Sequence, residues 1–268
     1  LKTILQYANY MTIRIVTDSA CDLPQYIVDQ HKISIVPLSV RFGEHEFIDR
    51  QDLTTEQFWK RCDSSPVLPE TAAPSPGQFE AEFRKLAAEG ATGIVMISLS
   101  GILSATMQSA ELAAKAVAGH ISVRVVDSRS GSMGQGITVI ACAKLAETGA
   151  SLDEVVATGE SLANRSKVWG ALDTLENLKK GGRIGGAKAM MASALSIKPI
   201  IEVVDGKIEE GGKQRTRSKA LAFLLEKVRD AGPIENLAVL QANCNDFEAF
   251  VESLREIYSG DIIVGDIG

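Results

Sequence analysis

Five stretches of this sequence bring together side chains that could bind or activate a ligand. Thr17-Asp18-Ser19-Ala20-Cys21-Asp22 follows a short β-branched run, and parallel α/β sheets hold ligands at the carboxyl ends of their strands. The same carboxylates and hydroxyl could instead satisfy the N–H groups that open the next helix. Ile97-Ser98-Leu99-Ser100-Gly101-Ile102-Leu103-Ser104-Ala105-Thr106 repeats the pattern, with hydroxyls clustered where a strand gives way to a helix. A helix N-terminus carries free N–H groups and the positive end of the helix dipole, which suits an anion. One of Ser100 and Ser104 is expected to act as the N-cap, and the remaining hydroxyls exceed what capping needs.

The third stretch, Pro69-Glu70-Thr71-Ala72-Ala73-Pro74-Ser75-Pro76-Gly77-Gln78, contains a strong helix start: Ser75 as N-cap, Pro76 at the first helical position and Gln78 to close the box. Thr71 lies before it in an extended segment and has no local duty of that kind. The fourth, Lys179 to Lys188, has four basic residues and four glycines but fails the P-loop pattern, because Ala187 stands where lysine must be. Gly131-Ser132-Met133-Gly134-Gln135-Gly136 likewise does not read G-x-G-x-x-G. The fifth, Lys213-Gln214-Arg215-Thr216-Arg217-Ser218-Lys219, sets cations against the dipole at a helix start. That suggests an anionic ligand or an acidic partner surface, although a solvated face is the alternative.

Together these segments suit a carboxylate or a phosphate. His31, His45 and His120 lie in no catalytic turn, and neither a nucleophile elbow nor metal-ligand spacing is present in the sequence. An enzyme reading would have to use Asp18, Asp22 and Asp127 in a phosphotransferase or hydrolase, and a third reading makes Lys213–Lys219 a docking patch. The net charge of −6 argues against general nucleic-acid binding. No apolar run approaches the roughly 20 residues of a membrane-spanning helix. Cys21, Cys62, Cys142 and Cys244 show no C-x-x-C spacing and are expected to be reduced thiols in the cytoplasm. Residues 1–10 make a poor signal peptide, and Met11 is the expected natural start.

The elements that must position these residues alternate strand and helix. Strands are expected over Ile13–Thr17, Ile33–Val40, Gly93–Ser98 and Ile121–Val126. Helices are expected over Pro24–Gln30, Thr54–Cys62, Pro76–Glu89, Leu103–Val117 and Met133–Thr148. The second half repeats the theme with strands Val168–Leu172, Ile197–Val204, Leu237–Gln241 and Asp261–Val264, and helices Leu152–Arg165, Ser218–Asp230 and Asp246–Tyr258. Asp205-Gly206 signals a tight hairpin. The expected architecture is α/β, two domains (11–150 and 151–268) with mainly parallel sheets, divided where Gly149 stops one helix and Ser151 with Glu154 caps the next.

The ordered set Thr17-Asp18-Ser19…Asp22, Thr71…Pro74-Ser75-Pro76-Gly77, Ser100-x-x-Leu103-Ser104-x-Thr106, Asp127-Ser128, Lys180-Gly181-Gly182-Arg183-Ile184, Ser196-Ile197-Lys198-Pro199 and Arg215-Thr216-Arg217-x-Lys219 resembles the DegV family from about residue 13 onward. The resemblance implies a non-enzymatic carrier whose two domains enclose a long-chain fatty acid in an apolar tunnel, with no other cofactor. It implies that the carboxylate is shown to a separate fatty acid kinase, which supplies ATP and makes an acyl phosphate. On that resemblance Thr71 and Ser100 would hold the carboxylate, with Ser104 beside them, and Arg183 and Arg215 would lie near the head group. The chain departs from the pattern at Ala72 and Ala73, where the family usually has Ser and Gln, and at Gly101, Ala105 and Met107, where it usually has Ser, Gly and Tyr. Past Gly268 the family pattern goes on to a histidine and a Gly-Pro-Gly.

Overall fold

The computed structural model describes residues 12–192 and 197–268, so Met11 and Ser196 lie outside the described residues. Strand β1 (Ile13–Asp18) is buried almost throughout, as a β-branched run must be when helices cover both sheet faces. A 3₁₀ turn at Ser19–Cys21 and helix α1 (Gln25–Gln30) lead to β2 (Ser34–Val36), which pairs in parallel with β1. The single strand expected over Ile33–Val40 is two strands. Pro37 offers no N–H to continue the ladder, and the chain leaves the sheet there. It resumes as β3 (Ser39–Phe42), which forms a small antiparallel sheet with β4 (His45–Ile48) and β5 (Glu70–Ala72). Helix α2 (Thr55–Ser64), capped by a Thr54–Gln57 box, connects the last two.

Helix α3 (Pro76–Ala88) starts with the Ser75–Gln78 box foreseen from the sequence. Then follow β6 (Gly93–Ser98), α4 (Thr106–Val117), β7 (Ser122–Asp127), α5 (Met133–Glu147) and α6 (Leu152–Arg165). The main sheet runs β2-β1-β6-β7, all parallel. One face packs on α3 and α4 through Phe79, Phe83, Ala110 and Val117. The other packs on α1, α5 and α6 through Ile27, Val139, Ile140 and Val155. Helix α6 lies beyond residue 150 yet buries Val155 and Val156 in this core.

The second half comprises β8 (Val168–Ala171), α7 (Glu176–Lys180), a 3₁₀ stretch over Gly185–Ala192, β9 (Lys198–Val204), β10 (Lys207–Gln214), α8 (Arg217–Asp230), β11 (Leu237–Gln241), α9 (Phe247–Arg255) and β12 (Ile262–Asp266). Strands β8, β9 and β10 form an antiparallel sheet, whereas β11 and β12 pair in parallel. The turn between β9 and β10 has φ of 49° at Asp205 and 79° at Gly206, the left-handed pair that Asp-Gly supplies. Ala238, Leu240 and Ile263 pack against the first core, so the two halves share apolar contact. Among the described residues no helix is long and apolar enough to cross a membrane.

Candidate functional site

In the main sheet the chain order reverses between β1 and β6, so a crevice opens at their carboxyl ends, the usual ligand position of such sheets. Here the protein fills that crevice itself. Asp18 accepts from the N–H groups of Leu99 at 2.8 Å and Ala20 at 3.1 Å, and from Gln135 Nε2 at 3.1 Å. Gln135 Nε2 also reaches Thr17 Oγ1 at 2.9 Å. Burial pushes the Asp18 carboxyl up to about 6, against the opposing pull of those hydrogen bonds. Asp22, pushed up to about 7 chiefly by burial, accepts from Ser132 and from the Gly268 N–H. Asp127 accepts from Arg129 N at 2.7 Å and more loosely from Gly101 N. Each of the three carboxylates is thus engaged in holding loops.

Ser100 is fully buried. Its Oγ donates to the Gly206 carbonyl at 2.8 Å and accepts from Ile102 N at 3.3 Å, which ties the first half to the β9–β10 turn. Arg129 secures the same turn through Asp205 at 2.6 Å and holds Asn164 at 2.7 Å. Ser104 Oγ accepts from Thr106 N at 3.3 Å and shares a 2.9 Å hydrogen bond with Thr106 Oγ1. The helix expected from Leu103 therefore begins only at Thr106, behind a turn, with Ala105 as a cap that offers no side-chain bond. Arg183 is exposed, and its Nε donates to Leu103 O at 3.3 Å. Ser100, Ser104 and Arg183 are thereby gathered on one turn.

Thr71 sits apart on β5, exposed, with its backbone paired to Val40. Among the described residues no hydrogen bond joins it to that turn. Arg215 is exposed just past β10. The rest of its basic cluster is partly neutralised: Lys213 pairs with Glu210 at 3.4 Å, and Arg217 grips Asp246 with two 2.9 Å bonds. That grip raises the Arg217 pKa and lowers that of Asp246.

A hollow adjoins the Ser100–Ser104 turn at Leu103 and has a volume of about 630 Å³, within the roughly 300–1,000 Å³ of small-molecule pockets. Its walls include Leu103, Ile137, Leu172, Leu221, Leu224 and Phe250, a long aliphatic surface. Strands β8 and β11 both line it, and they do not pair with each other. The hollow is thus bordered by both the β8–β10 sheet and the β11–β12 pair.

A family model described as an uncharacterised protein of the DegV family matches residues 12–268. The chain belongs to the DegV family. A DegV domain-containing protein of Streptomyces coelicolor is 36% identical over 262 residues, covering 96% of this chain and 92% of that one. A solved DegV family protein of Thermus thermophilus, described by its fatty acid binding, is 32% identical with a TM-score of 0.84, over 96% of this chain and 93% of that chain. DegV of Bacillus subtilis, described as a fatty acid binding protein, is 27% identical with a TM-score of 0.86, over 96% of this chain and 93% of that chain.

In this DegV chain Gly101 and Met107 are in close contact. A Cβ at Gly101 would stand 3.1 Å from Met107 Sδ, so the smaller residue makes space for the larger one. Sequence reasoning missed Gln135 and the Arg217–Asp246 pair. Gln135 had a signal: helix α5 is buried on nearly every side, and a lone amide in such a helix needs partners. The ion pair had none, because its members lie on separate elements 29 residues apart.

Proposed function

We propose that this DegV chain is a carrier rather than an enzyme: it holds a long-chain fatty acid in the hollow and presents the carboxylate at the Ser100–Ser104 turn to a separate fatty acid kinase. The hollow carries this reading. Each methylene buried there contributes about 0.8 kcal/mol, so an acyl chain gains affinity without polar contacts. The carboxylate needs donors, since a buried unpaired charge is costly. Ser104 and the Arg183 guanidinium are the donors beside Leu103, and Ser100 joins them by exchanging its bond to Gly206 O for one to the carboxylate, with Thr71 and Arg215 as the outer contacts. The kinase would bring ATP and form the acyl phosphate, and residues 151–268 supply most of the hollow's wall. We assign the protein to the cytoplasm, where four reduced thiols are at home.

The hydrolase or phosphotransferase reading is disfavoured by how Asp18, Asp22 and Asp127 are used, since each accepts from backbone N–H groups. Extraction of the purified protein with organic solvent, followed by mass spectrometry, should yield about one fatty acid per chain. Repeatedly empty extracts from protein that also takes up no added palmitate would refute the carrier reading. Ser100→Ala should weaken palmitate binding by about tenfold, the worth of one charge-assisted hydrogen bond, and Thr71→Val should weaken it by less. Titration calorimetry with unchanged affinity in both variants would remove them from the site.

A further inference from the structure

Ser100 has no exposed surface, so a ligand can touch it only if something moves aside. What lies over it is the β9–β10 turn. The Gly206 carbonyl accepts from Ser100 Oγ at 2.8 Å, and a Cβ built on Gly206 would stand 2.6 Å from that oxygen. The turn therefore rests directly on the hydroxyl and leaves no room for a carboxylate between them. The hydroxyl also has a single proton to donate. While that proton serves Gly206, none remains for a ligand.

The tip of the turn is lightly held. Val204, Asp205 and Lys207 are exposed, and Gly206 alone of these four is buried. Besides the Ser100 bond, an ion pair between Arg129 and Asp205 ties the tip to the first half, and such an exposed pair is weak. Behind the tip, Ile208 is buried in one cluster with Ala187 and Met190, which keeps the strands in place and leaves the tip to move. Once Ser100 turns its proton to a carboxylate, the Gly206 carbonyl becomes a buried acceptor without a donor. That penalty disappears if the turn lifts into water. The exchange runs forward because a hydrogen bond to a charged acceptor is stronger than one to a neutral carbonyl. We propose that the Asp205–Gly206 turn is a latch over Ser100, which lifts to admit the carboxylate and is held open by loading. This inference rests on the fatty-acid reading above, and it makes the loaded protein differ from the unloaded one at an exposed loop.

Hydrogen–deuterium exchange of the unaltered protein, with and without saturating palmitate, tests the latch. Helix α8, whose Leu221 and Leu224 line the hollow, should exchange more slowly on loading. The amides of residues 204–207 should change in the opposite sense, because a turn freed of its tie opens more often, by about fivefold for one neutral hydrogen bond. In Ser100→Ala the same amides should exchange at the fast rate from the outset and gain nothing from palmitate. Palmitate binding to wild type with these amides unchanged or slowed overturns the latch alone, while no palmitate binding at all overturns the carrier reading with it. Asp205→Asn supplies a second measurement, since asparagine suits the left-handed turn but gives up the ion pair with Arg129. Coupling between latch and ligand is reciprocal, so loosening the turn should raise palmitate affinity by about twofold. An affinity equal to wild type or weaker would show that the turn does not compete for Ser100, and would overturn the latch.

Discussion

Asp18→Ala is expected to destabilise the protein by about 3–5 kcal/mol, read as a lower urea midpoint at constant slope. The substitution leaves Leu99 N, Ala20 N and the Gln135 amide without their acceptor in a fully buried place. Such donors cannot turn to water. Asp18→Asn is a gentler test that also separates charge from hydrogen bonding. An asparagine oxygen can keep Leu99 N and Gln135, losing only Ala20 N. The folded pKa of about 6 stands above the ordinary 3.8, so the native state holds its proton longer than the unfolded chain does. The wild type therefore has the full benefit below pH 4 and loses about 3 kcal/mol as pH rises to about 6. An asparagine at this position carries no such titration. The variant should be the less stable protein at pH 4 and should equal or exceed wild type at pH 8. Parallel stability curves across that range would show that Asp18 does not titrate between the two states.

Gly134→Val should empty the protein of lipid and also destabilise it. A Cβ at Gly134 would overlap Ser130 Oγ and stand 2.5 Å from Val168 Cγ2, where helix α5 meets the start of β8. Overpacking of this kind costs about 1–3 kcal/mol. The damage spreads because Ser130 O accepts from Ser100 N at 2.8 Å, so shifting Ser130 disturbs the turn assigned to the carboxylate. Palmitate affinity should fall more than tenfold in protein that still unfolds cooperatively. Full lipid occupancy in the variant would mean that β8 can move away at no cost, and would dissociate that contact from binding.

Much of the fold was legible because its signals are local. The Ser75–Gln78 and Ser151–Glu154 boxes, the Asp205–Gly206 turn and the apolar runs of β1 and β6 each act within a few residues, and each stands where periodicity put it. Strands β4 and β5 were illegible for the opposite reason. They are short and largely exposed, so burial impressed no alternation on them, and only pairing with β3 makes them strands. The site divided in the same way. Ser100 and Ser104 were readable as hydroxyls in excess at a strand-to-helix turn, yet the acceptor of Ser100 is Gly206, 106 residues away. Arg217 was read as one cation among four, and its neutralisation by Asp246 depends on how α8 and α9 dock.

The unpaired edges of β8 and β11 have a consequence for handling the protein. Each edge has one strand neighbour where a central strand has two, so an occupant of the hollow would pack against both edges and add to their cohesion. By mass action, an occupant at one hundred times its dissociation constant adds about 2.7 kcal/mol to the folded state. A preparation with mixed occupancy is then two populations, and its melting curve should broaden or split until the load is made uniform by delipidation or saturation.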